Sequence, residues 1–372
     1  MNFIEELKWR GMIHDIMPET QEEFEKGLTS AYIGFDPTAD SLHVGSLVQI
    51  MILVHLQRFG HKPIILIGGA TGMVGDPSGK SKERNLLDEK TLFHNLTHVK
   101  KQLEKFLDFD CGKNSAEIVN NYDWFKEFSF LNFIRDIGKH ISVNYMMAKD
   151  SVKSRLKTGI SFTEFSYQLV QAYDFYWLWK NKNCKVQLGG SDQWGNIISG
   201  TELIRKKDGG KAFALTTPLL EKSDGGKFGK TESGNIWLDK KKTSPYEFYQ
   251  FWLNTTDEDA KKYIKIFTTL SQKEIVKIIK DHEKSPHLRM LQKAIAISIT
   301  ERVHGKEELQ RAINASNILF GNSTNDDLRS LDENTFLLIF KGVPKFKLKK
   351  SDLTSDILDF LSKKSNIFKS KG

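Results

Sequence analysis

The apolar segments between residues 31 and 67 constrain the fold of this 372-residue chain more than any other feature. A short apolar run, Ala31–Phe35, ends at an Asp-Pro turn and predicts a strand. Leu42–Phe59 has the length of a helix, and Pro63–Ile67 is a β-branched run that ends in two glycines. Strand, helix and strand within about 35 residues form a βαβ unit, which requires parallel strands. The sequence therefore predicts an α/β fold with a doubly wound parallel sheet.

The rest of the chain divides into parts by composition and periodicity. Residues 116–120 and 185–188 are further strand candidates, and the pattern after residue 244 is helical with few turn signals. The predicted domains are residues 1–240 with an aromatic helical insertion at about 124–160, a helical domain at 241–330, and a short unit at 331–372.

Composition excludes several classes of protein. With 39% hydrophobic and 27% charged residues, the chain can build a sizeable core and is not disordered. Two cysteines, Cys111 and Cys184, rule out a disulfide scaffold and a cysteine-rich metal site. The apolar stretch Leu47–Leu56 is too short to span a bilayer, which takes about 20 residues. We therefore expect a cytoplasmic protein without a membrane partner.

The positive charge is concentrated at the C-terminal end. The formal net charge is +8, and Lys341–Gly372 alone contains nine Lys and three Asp. A basic end can bind nucleic acid or simply keep the chain soluble, and charge alone leaves both interpretations open.

The segment after the first predicted strand is a candidate ligand site. In a doubly wound sheet, ligands bind beyond the carboxyl ends of the strands, and a helix N-terminus offers free N–H groups to a phosphate. His43 stands there and could donate to a phosphate oxygen, while Gly45 would let a nucleotide approach the backbone. As a lone histidine, His43 could instead be a cap or a packing residue.

Residues 68–81 are rich in glycine and follow the second predicted strand. They do not form a P-loop, because that pattern requires a glycine where the chain has Val74. No G-x-G-x-x-G dinucleotide pattern fits either. Because the segment follows a strand, it should line the same cleft, where Lys80 and Arg84 could hold phosphates.

Tyr167, Gln171 and Asp174 share one face of a predicted helix, because they are separated by four and then three residues. A phenol, an amide and a carboxylate on one face could bind a small polar ligand. A solvated helix face is the alternative, although the apolar neighbours argue against full exposure.

Two further loops carry groups that suit a nucleotide. Gly190 and Asp192 follow another short strand, so Asp192 could bind ribose hydroxyls. Lys227 and Lys230 flank Gly229 in a stretch rich in Gly, Ser and Asp and could clamp phosphates, while a charged surface loop is the simpler interpretation.

Together and in this order, the motifs resemble those of the bacterial-type tyrosyl-tRNA synthetases. The tetrapeptide HVGS at His43–Ser46 resembles the HIGH signature of class I aminoacyl-tRNA synthetases, and KFGKT at Lys227–Thr231 resembles the KMSKS signature. The resemblance covers nearly the whole chain. It implies a Rossmann-like catalytic domain, a helical domain that meets the anticodon arm of tRNA, and a homodimer with residues 124–160 as the best candidate interface.

The resemblance also implies roles for individual residues. Tyr32 and Asp174 would bind the phenolic hydroxyl of L-tyrosine, Asp76, Tyr167 and Gln171 its α-ammonium group, and Gln193 would lie near its carboxylate. For ATP, Asp192 would bind the ribose, Gly34, Gly45 and Gly190 would allow close approach, and Thr38 and His43 would contact the pyrophosphate in the transition state. Lys80, Arg84, Lys227, Lys230 and Thr231 would belong to the phosphate-binding loops.

Two features depart from the family's pattern. Ser46 replaces the second histidine of the HIGH signature, so its contact towards the nucleotide is shorter or lost. The family usually continues into a small RNA-binding module, and residues 331–372 resemble the start of such a module. We expect this second departure to bear on tRNA binding and not on amino-acid activation.

The implied reaction has two steps, in which tyrosine and ATP form tyrosyl-adenylate and the tyrosyl group then passes to tRNA. Mg²⁺ would accompany ATP, without a metal cage in the protein or a tightly bound cofactor. Tryptophan activation is one alternative, against which the pair Tyr32 and Asp174 argues because indole has no hydroxyl. An RNA-binding or regulatory protein on an inactive scaffold is another, against which Asp192 and the loop lysines argue.

Overall fold

The computed structural model describes residues 2–78, 86–156, 159–223, 225–226, 228–231, 234–320 and six positions between 328 and 337. Residues 1–310 form one compact unit, and residues 311–372 are grouped as another. The predicted unit at 331–372 therefore lies almost entirely outside the described residues. The helices between residues 245 and 304 belong to the first unit, and the predicted domain boundaries stay a prediction.

A five-stranded parallel sheet forms the centre of the first unit. Its strands are β1 (Ser30–Phe35), β2 (Lys62–Ile67), β3 (Glu117–Asn120), β4 (Cys184–Gly190) and β5 (Phe213–Thr217). Their order is β3-β2-β1-β4-β5, and all neighbours are parallel. This confirms the doubly wound sheet. The order reverses between β1 and β4, which is where such sheets open a crevice for ligands.

The strands follow from their composition. β2 is buried along almost its whole length, and β4 likewise, because helices cover both faces of a parallel sheet. A second, two-stranded antiparallel ribbon pairs β6 (Lys230–Thr231) with β7 (Gly234–Asn235).

Helices surround the sheet and continue after it. The first ten are α1 (Phe3–Arg10), α2 (Thr20–Glu25), α3 (Leu47–Arg58), α4 (Thr71–Val74), α5 (Glu89–Leu103), α6 (Tyr122–Phe125), α7 (Phe130–Asp136), α8 (Val143–Met147), α9 (Asp150–Leu156) and α10 (Phe162–Lys182). The remaining six are α11 (Trp194–Asp208), α12 (Pro245–Leu253), α13 (Asp257–Phe267), α14 (Gln272–Lys284), α15 (Met290–His304) and α16 (Lys306–Phe320). The sequence analysis did not predict α11, whose two glycines weaken the helical signal.

The N-terminal helix joins the sheet to the helices that follow it. Arg10 at the end of α1 is buried and pairs with Glu6 at 2.7 Å. Its guanidinium also donates to the backbone carbonyls of Lys265, Thr268 and Leu270. These carbonyls lie at and just after the end of α13, so one buried side chain satisfies three acceptors that the helix leaves open.

The helix predicted at 42–59 begins later than expected. A 3₁₀ turn at Val44–Ser46 comes first, and α3 follows from Leu47. His43 caps this turn, because its Nδ1 accepts from the backbone N–H of Gly45 at 3.0 Å. The cap uses Nδ1, so it does not exclude the expected contact of His43 with a phosphate, which stays a prediction.

Candidate active site

A cavity of about 580 Å³ opens at the carboxyl ends of β1 and β4, where the strand order reverses. It brings together twelve of the residues expected from the sequence, which come from four separate segments of the chain. These twelve are Tyr32, Gly34, Thr38, His43, Gly45, Asp76, Tyr167, Gln171, Asp174, Gly190, Asp192 and Gln193. Their roles stay predictions, but their common location follows from the topology of the sheet.

Several polar atoms in the wall of this cavity are buried and have no hydrogen-bond partner among the described residues. They are the hydroxyl of Tyr32 and the Oε1 atoms of Gln49, Gln171 and Gln187. A buried polar group without a partner costs about 1–3 kcal/mol, so a cluster of them in one cavity is what a polar ligand would relieve.

Asp174 lies at the base of the cavity and is held by two donors. Trp124 Nε1 donates to its Oδ1 at 2.9 Å, and Asn121 Nδ2 donates to its Oδ2 at 3.0 Å. Asn121 is fixed in turn, because its Oδ1 accepts from the N–H of Ala70 at 2.6 Å. Both donors leave the remaining lone pairs of the carboxylate to accept from a ligand hydroxyl.

Burial has the largest effect on the pKa values of Asp174 and Tyr32. It raises the pKa of Asp174 well above its usual value, while the bonds from Asn121 and Trp124 act in the opposite direction by favouring the ionised form. Burial also raises the pKa of Tyr32, and the nearby Asp174 adds to this rise. The Tyr32 hydroxyl therefore keeps its proton and can donate it.

A second carboxylate, Asp36, orients Tyr167. The Tyr167 hydroxyl donates to Asp36 Oδ2 at 2.8 Å, and Thr71 donates to Asp36 Oδ1 at 2.6 Å. Because the Tyr167 proton is committed to Asp36, its oxygen presents lone pairs to the cavity. Burial and the negative charges of Asp36 and Asp76 raise the pKa of Tyr167.

Asp76 lies across the cavity among amide groups. Gln193 Nε2 donates to its Oδ2 at 2.7 Å, and the backbone N–H of Ser78 donates to its Oδ1 at 2.9 Å. Asn196 Nδ2 approaches the same Oδ1 at 3.4 Å. With the acceptors of Tyr167 and Gln171, this carboxylate makes a set of oxygens that suits an ammonium group.

Sequence reasoning missed four residues of this network: Asp36, Thr71, Asn121 and Trp124. Thr71 links the two carboxylates, because its Oγ1 donates to Asp36 and accepts from Asn121 at 3.0 Å. Asp36 and Asn121 directly follow β1 and β3, so the rule about carboxyl ends of strands could have found them. Trp124 had no comparable signal.

The opposite end of the cavity is built from main chain. Val44 donates to the carbonyl of Ile236 at 2.9 Å, and His43 forms an isolated antiparallel bridge with Trp237. The His43 and Trp237 rings meet edge to face with centroids 6.1 Å apart. Because His43 Nδ1 accepts from Gly45, a neutral His43 carries its proton on Nε2.

Phe228 and Gly229 hold the segment that resembles the KMSKS signature against this turn. The Phe228 ring packs among the aromatic rings of α12 and α13, including Phe267, on which it stacks at 5.4 Å. Gly229 has a φ of 78°, and a Cβ there would lie 2.6 Å from Val44 Cγ2. The position therefore requires glycine. Neither residue was assigned a role from the sequence.

Five residues were expected in the phosphate-binding loops. Lys80, Arg84 and Lys227 lie outside the described residues. Lys230 and Thr231 form β6, and the Lys230 side chain is exposed and does not line the cavity. Asn235 and Trp237 from the same hairpin do line it.

The described residues contain no group of three or more His, Cys, Asp or Glu side chains that could hold a metal ion. No helix in the described ranges is long and apolar enough to cross a membrane.

The fold and the cavity together define a class of protein. Residues 25–321 match the family model described as tRNA synthetases class I (W and Y), and the chain belongs to this family. Among its curated relatives are proteins named tyrosine–tRNA ligase. That of Porphyromonas gingivalis is 63% identical, and that of Flavobacterium johnsoniae 62%, each alignment covering 100% of this chain and 88% of the relative. These relatives confirm the resemblance to bacterial-type tyrosyl-tRNA synthetases.

Solved structures of two aminoacyl-tRNA synthetases are similar to this chain. A C-terminally truncated mitochondrial tyrosyl-tRNA synthetase from Aspergillus nidulans is 34% identical, has a TM-score of 0.77, and covers 86% of this chain and 94% of its own. A tryptophanyl-tRNA synthetase from Encephalitozoon cuniculi shares the fold with a TM-score of 0.56 at 16% identity, covering 87% of this chain and 89% of its own.

Proposed function

We propose that the chain is a tyrosine–tRNA ligase that works in two steps through tyrosyl-adenylate. One observation carries the choice of tyrosine: the buried, unpartnered Tyr32 hydroxyl lies in the same cavity as Asp174, whose orientation two donors fix. A phenolic hydroxyl would accept from Tyr32 and donate to Asp174. Phenylalanine would leave both groups unpaired in a buried site, at about 1–3 kcal/mol for each. Indole offers no hydroxyl either.

The α-ammonium group of tyrosine would bind the oxygens of Asp76, Tyr167 and Gln171. This places the carboxylate near Gln193, whose amide already bonds to Asp76. The carboxylate attacks the α-phosphate of ATP. It is an anion at neutral pH, so no general base is required, and the protein contributes position and charge stabilisation.

The nucleotide would occupy the end formed by the turn at residues 43–46. Asp192 would bind the ribose, and Gly34, Gly45 and Gly190 line the approach. His43, with its proton on Nε2, and Thr38 would donate to the pyrophosphate as negative charge grows on it. Lys80, Arg84, Lys227, Lys230 and Thr231 would complete the phosphate contacts, with Mg²⁺ entering as part of the ATP complex.

In the second step, a terminal ribose hydroxyl of tRNA would attack the activated tyrosyl carbonyl. The helical region after residue 240 would meet the anticodon arm, and residues 331–372 would begin an RNA-binding module. ATP and tRNA occur together in the cytoplasm, which we propose as the compartment.

The chain would act as a homodimer. Large apolar side chains are exposed on α7, α8 and the start of α10, within or beside the predicted interface at 124–160. They are Phe130, Leu131, Ile134, Val143, Met147 and Phe162. Apolar surface of this kind marks an interface. Leu131→Asp should shift the molar mass from dimer to monomer in light scattering, and an unchanged mass would reject this interface.

ATP–pyrophosphate exchange tests the activation step. Exchange should depend on tyrosine and not on phenylalanine or tryptophan. Exchange with none of the three would reject the enzyme, and exchange with tryptophan would reject the assignment of the substrate.

A further inference from the structure

We propose that a second cavity in this chain binds a phosphate group. It measures about 550 Å³ and lies between the C-terminal half of α3, the segment 105–109 and α15. It shares no lining residue with the candidate active site. Three cationic side chains, Arg58, Lys105 and Arg302, line it together with a single carboxylate, Asp108.

The two guanidinium groups converge on one residue. Arg58 Nη1 donates to the carbonyl oxygen of Thr269 at 2.9 Å, and Arg302 Nη2 donates to Thr269 Oγ1 at 3.2 Å. Arg58 also acts on Arg302 as a like charge, lowering its pKa further after the larger effect of burial. Two arginines held so close together repel each other unless an anion lies between them.

Neither guanidinium has a carboxylate partner within the described ranges. The ion pairs there include Arg10 with Glu6 and Lys306 with Glu301, but none with Arg58, Lys105 or Arg302. Arg302 Nε is buried and has no acceptor among the same residues. A buried charged donor normally has one, because leaving it unpaired is costly.

No carboxylate among the described residues forms an ion pair with the three cations, although Arg58 acts electrostatically on Glu274. Asp108 accepts from the backbone N–H of Asp110 at 2.8 Å, and Glu274 accepts from Ser271 at the start of α14. Glu301 acts on Arg302 only as a weaker electrostatic effect. The positive field extends to His55, where burial and three arginines, Arg58 and Arg302 among them, lower the pKa to about 2.

The chemistry of the cavity fits a phosphate better than other anions. Guanidinium groups bind phosphate oxygens with two parallel hydrogen bonds, and a lysine adds a point charge. Val54, Phe106 and Leu107 form the apolar part of the lining beside these charges. The phosphate could be free in solution or belong to the backbone of a bound RNA, and the experiment distinguishes these sources.

The first arm uses inorganic phosphate as the probe. Phosphate should bind the wild-type chain saturably in calorimetry, and Arg302→Gln should weaken this binding at least tenfold. Lys105→Gln should weaken it about threefold, because a rim lysine contributes less than a buried guanidinium. Lys26→Gln, which removes an exposed lysine paired with Glu23, is the matched control and should change nothing. Any phosphate bound at the candidate active site contributes equally to the wild type and to the variants, so the difference between them reports binding at the second cavity.

Unfolding separates binding from a structural role. If Arg302 serves only to fix Thr269, Arg302→Gln should lower Tm equally with and without phosphate. The proposal expects the opposite: phosphate raises Tm in the wild type and not in the variant, whose phosphate-free Tm is no lower because repulsion by Arg58 is relieved. If Arg302→Gln does not fold, Arg58→Gln and Lys105→Gln provide the same measurement.

The second arm uses a tyrosine tRNA transcript in fluorescence anisotropy. A tenfold loss of tRNA affinity in Arg302→Gln, with competition by phosphate in the wild type, would assign the phosphate to RNA. Unchanged tRNA affinity with lost phosphate binding would assign it to a free ligand. No change of either affinity in the three variants would overturn the proposal. Tyrosine-dependent exchange should remain intact throughout, so this failure is distinct from failure of the proposed function.

Discussion

The two ends of the active-site cavity are built in different ways. At the end around Asp174, side chains from separate elements fix one another: Asp36, Thr71, Asn121 and Asp174 form a continuous chain of hydrogen bonds. At the end around His43, the contacts are main-chain bonds and apolar packing. The difference fits the two proposed tasks, which are recognition of a hydroxyl group at the first end and binding of phosphates at the second. Recognition of one hydroxyl group requires donors and acceptors with fixed directions, whereas phosphates can be bound by backbone N–H groups and loops.

Loss of the carboxylate should have the largest effect. Asp174→Asn replaces one acceptor oxygen by a donor that faces Trp124 or Asn121, and removes the acceptor for the tyrosine hydroxyl. We expect kcat/KM for tyrosine in pyrophosphate exchange to fall about a thousandfold, from about 4 kcal/mol of lost pairing. The KM for ATP should change little. Asp110→Asn, at an exposed position, is the control, and an equal loss for tyrosine and phenylalanine would contradict the assignment.

A substitution at the end around His43 should lower kcat/KM for ATP instead of kcat/KM for tyrosine. Gly229→Ala places a Cβ against Val44 and strains a backbone with φ of 78°. A displacement of about 1 Å at a reacting centre can cost a hundredfold in rate, so we expect about that loss in kcat/KM for ATP. Gly225→Ala has the same kind of backbone, with φ of 80°, but open space at the Cβ position. If both variants behave alike, the contact with Val44 is not the cause.

A smaller change sharpens the role of Trp124. Trp124→Phe removes a donor that lowers the pKa of Asp174, so this pKa should rise further. Tyrosine binding weakens as pH falls through the pKa of Asp174, because a protonated carboxyl accepts less well. We expect about a tenfold rise in KM for tyrosine, and an acid limb of the pH profile that moves to higher pH.

Trp177 provides the matched control for this variant. It stacks on Trp124 with centroids 4.2 Å apart but does not bond to Asp174. Trp177→Phe should therefore leave the acid limb in place. An identical shift in both variants would show that packing, and not the hydrogen bond, sets the pKa.

The smallest effect should accompany Tyr32→Phe. This change removes a buried hydroxyl without a partner among the described residues. The KM for tyrosine should rise about fivefold, which corresponds to about 1 kcal/mol for one hydrogen bond. The free energy of unfolding without ligand should stay the same or increase in urea titrations. Tyr246→Phe, outside the cavity, should affect neither quantity, and marked destabilisation by Tyr32→Phe would show that the hydroxyl has a structural role.

The sequence predicted the parallel sheet and twelve residues that line the cavity, from strand ends, helical spacing and the family resemblance, while the roles of these residues stay predictions. Strand ends mark the crevice, and helical spacing places Tyr167, Gln171 and Asp174 on one face. It could not predict the partners of those groups. Trp124 reaches Asp174 across 50 residues, and Tyr167 reaches Asp36 across 131. Such contacts depend on how distant elements pack, which leaves no periodic signal.

The proposed nucleotide end was harder to predict for a different reason. The motifs there named candidate residues, whose roles stay predictions, but not the residues that hold those segments in place. Phe228 is the single aromatic residue in the sequence Gly226–Lys230. Its ring packs against α12 and α13, and the local sequence gives no sign of that contact. His43 was left open between ligand and cap; the structure shows a cap made by Nδ1, and the ligand role of Nε2 stays a prediction.

Arg10 has a consequence for the way the chain is made. The three carbonyls that its side chain bonds to are at positions 265, 268 and 270, so they are synthesised 255 to 260 residues after Arg10. Until those have been synthesised, its guanidinium has Glu6 as its charged partner and cannot be buried without loss of hydration. Docking of α1 through Arg10 is therefore completed only after the last strand of the sheet, Phe213–Thr217, has been synthesised.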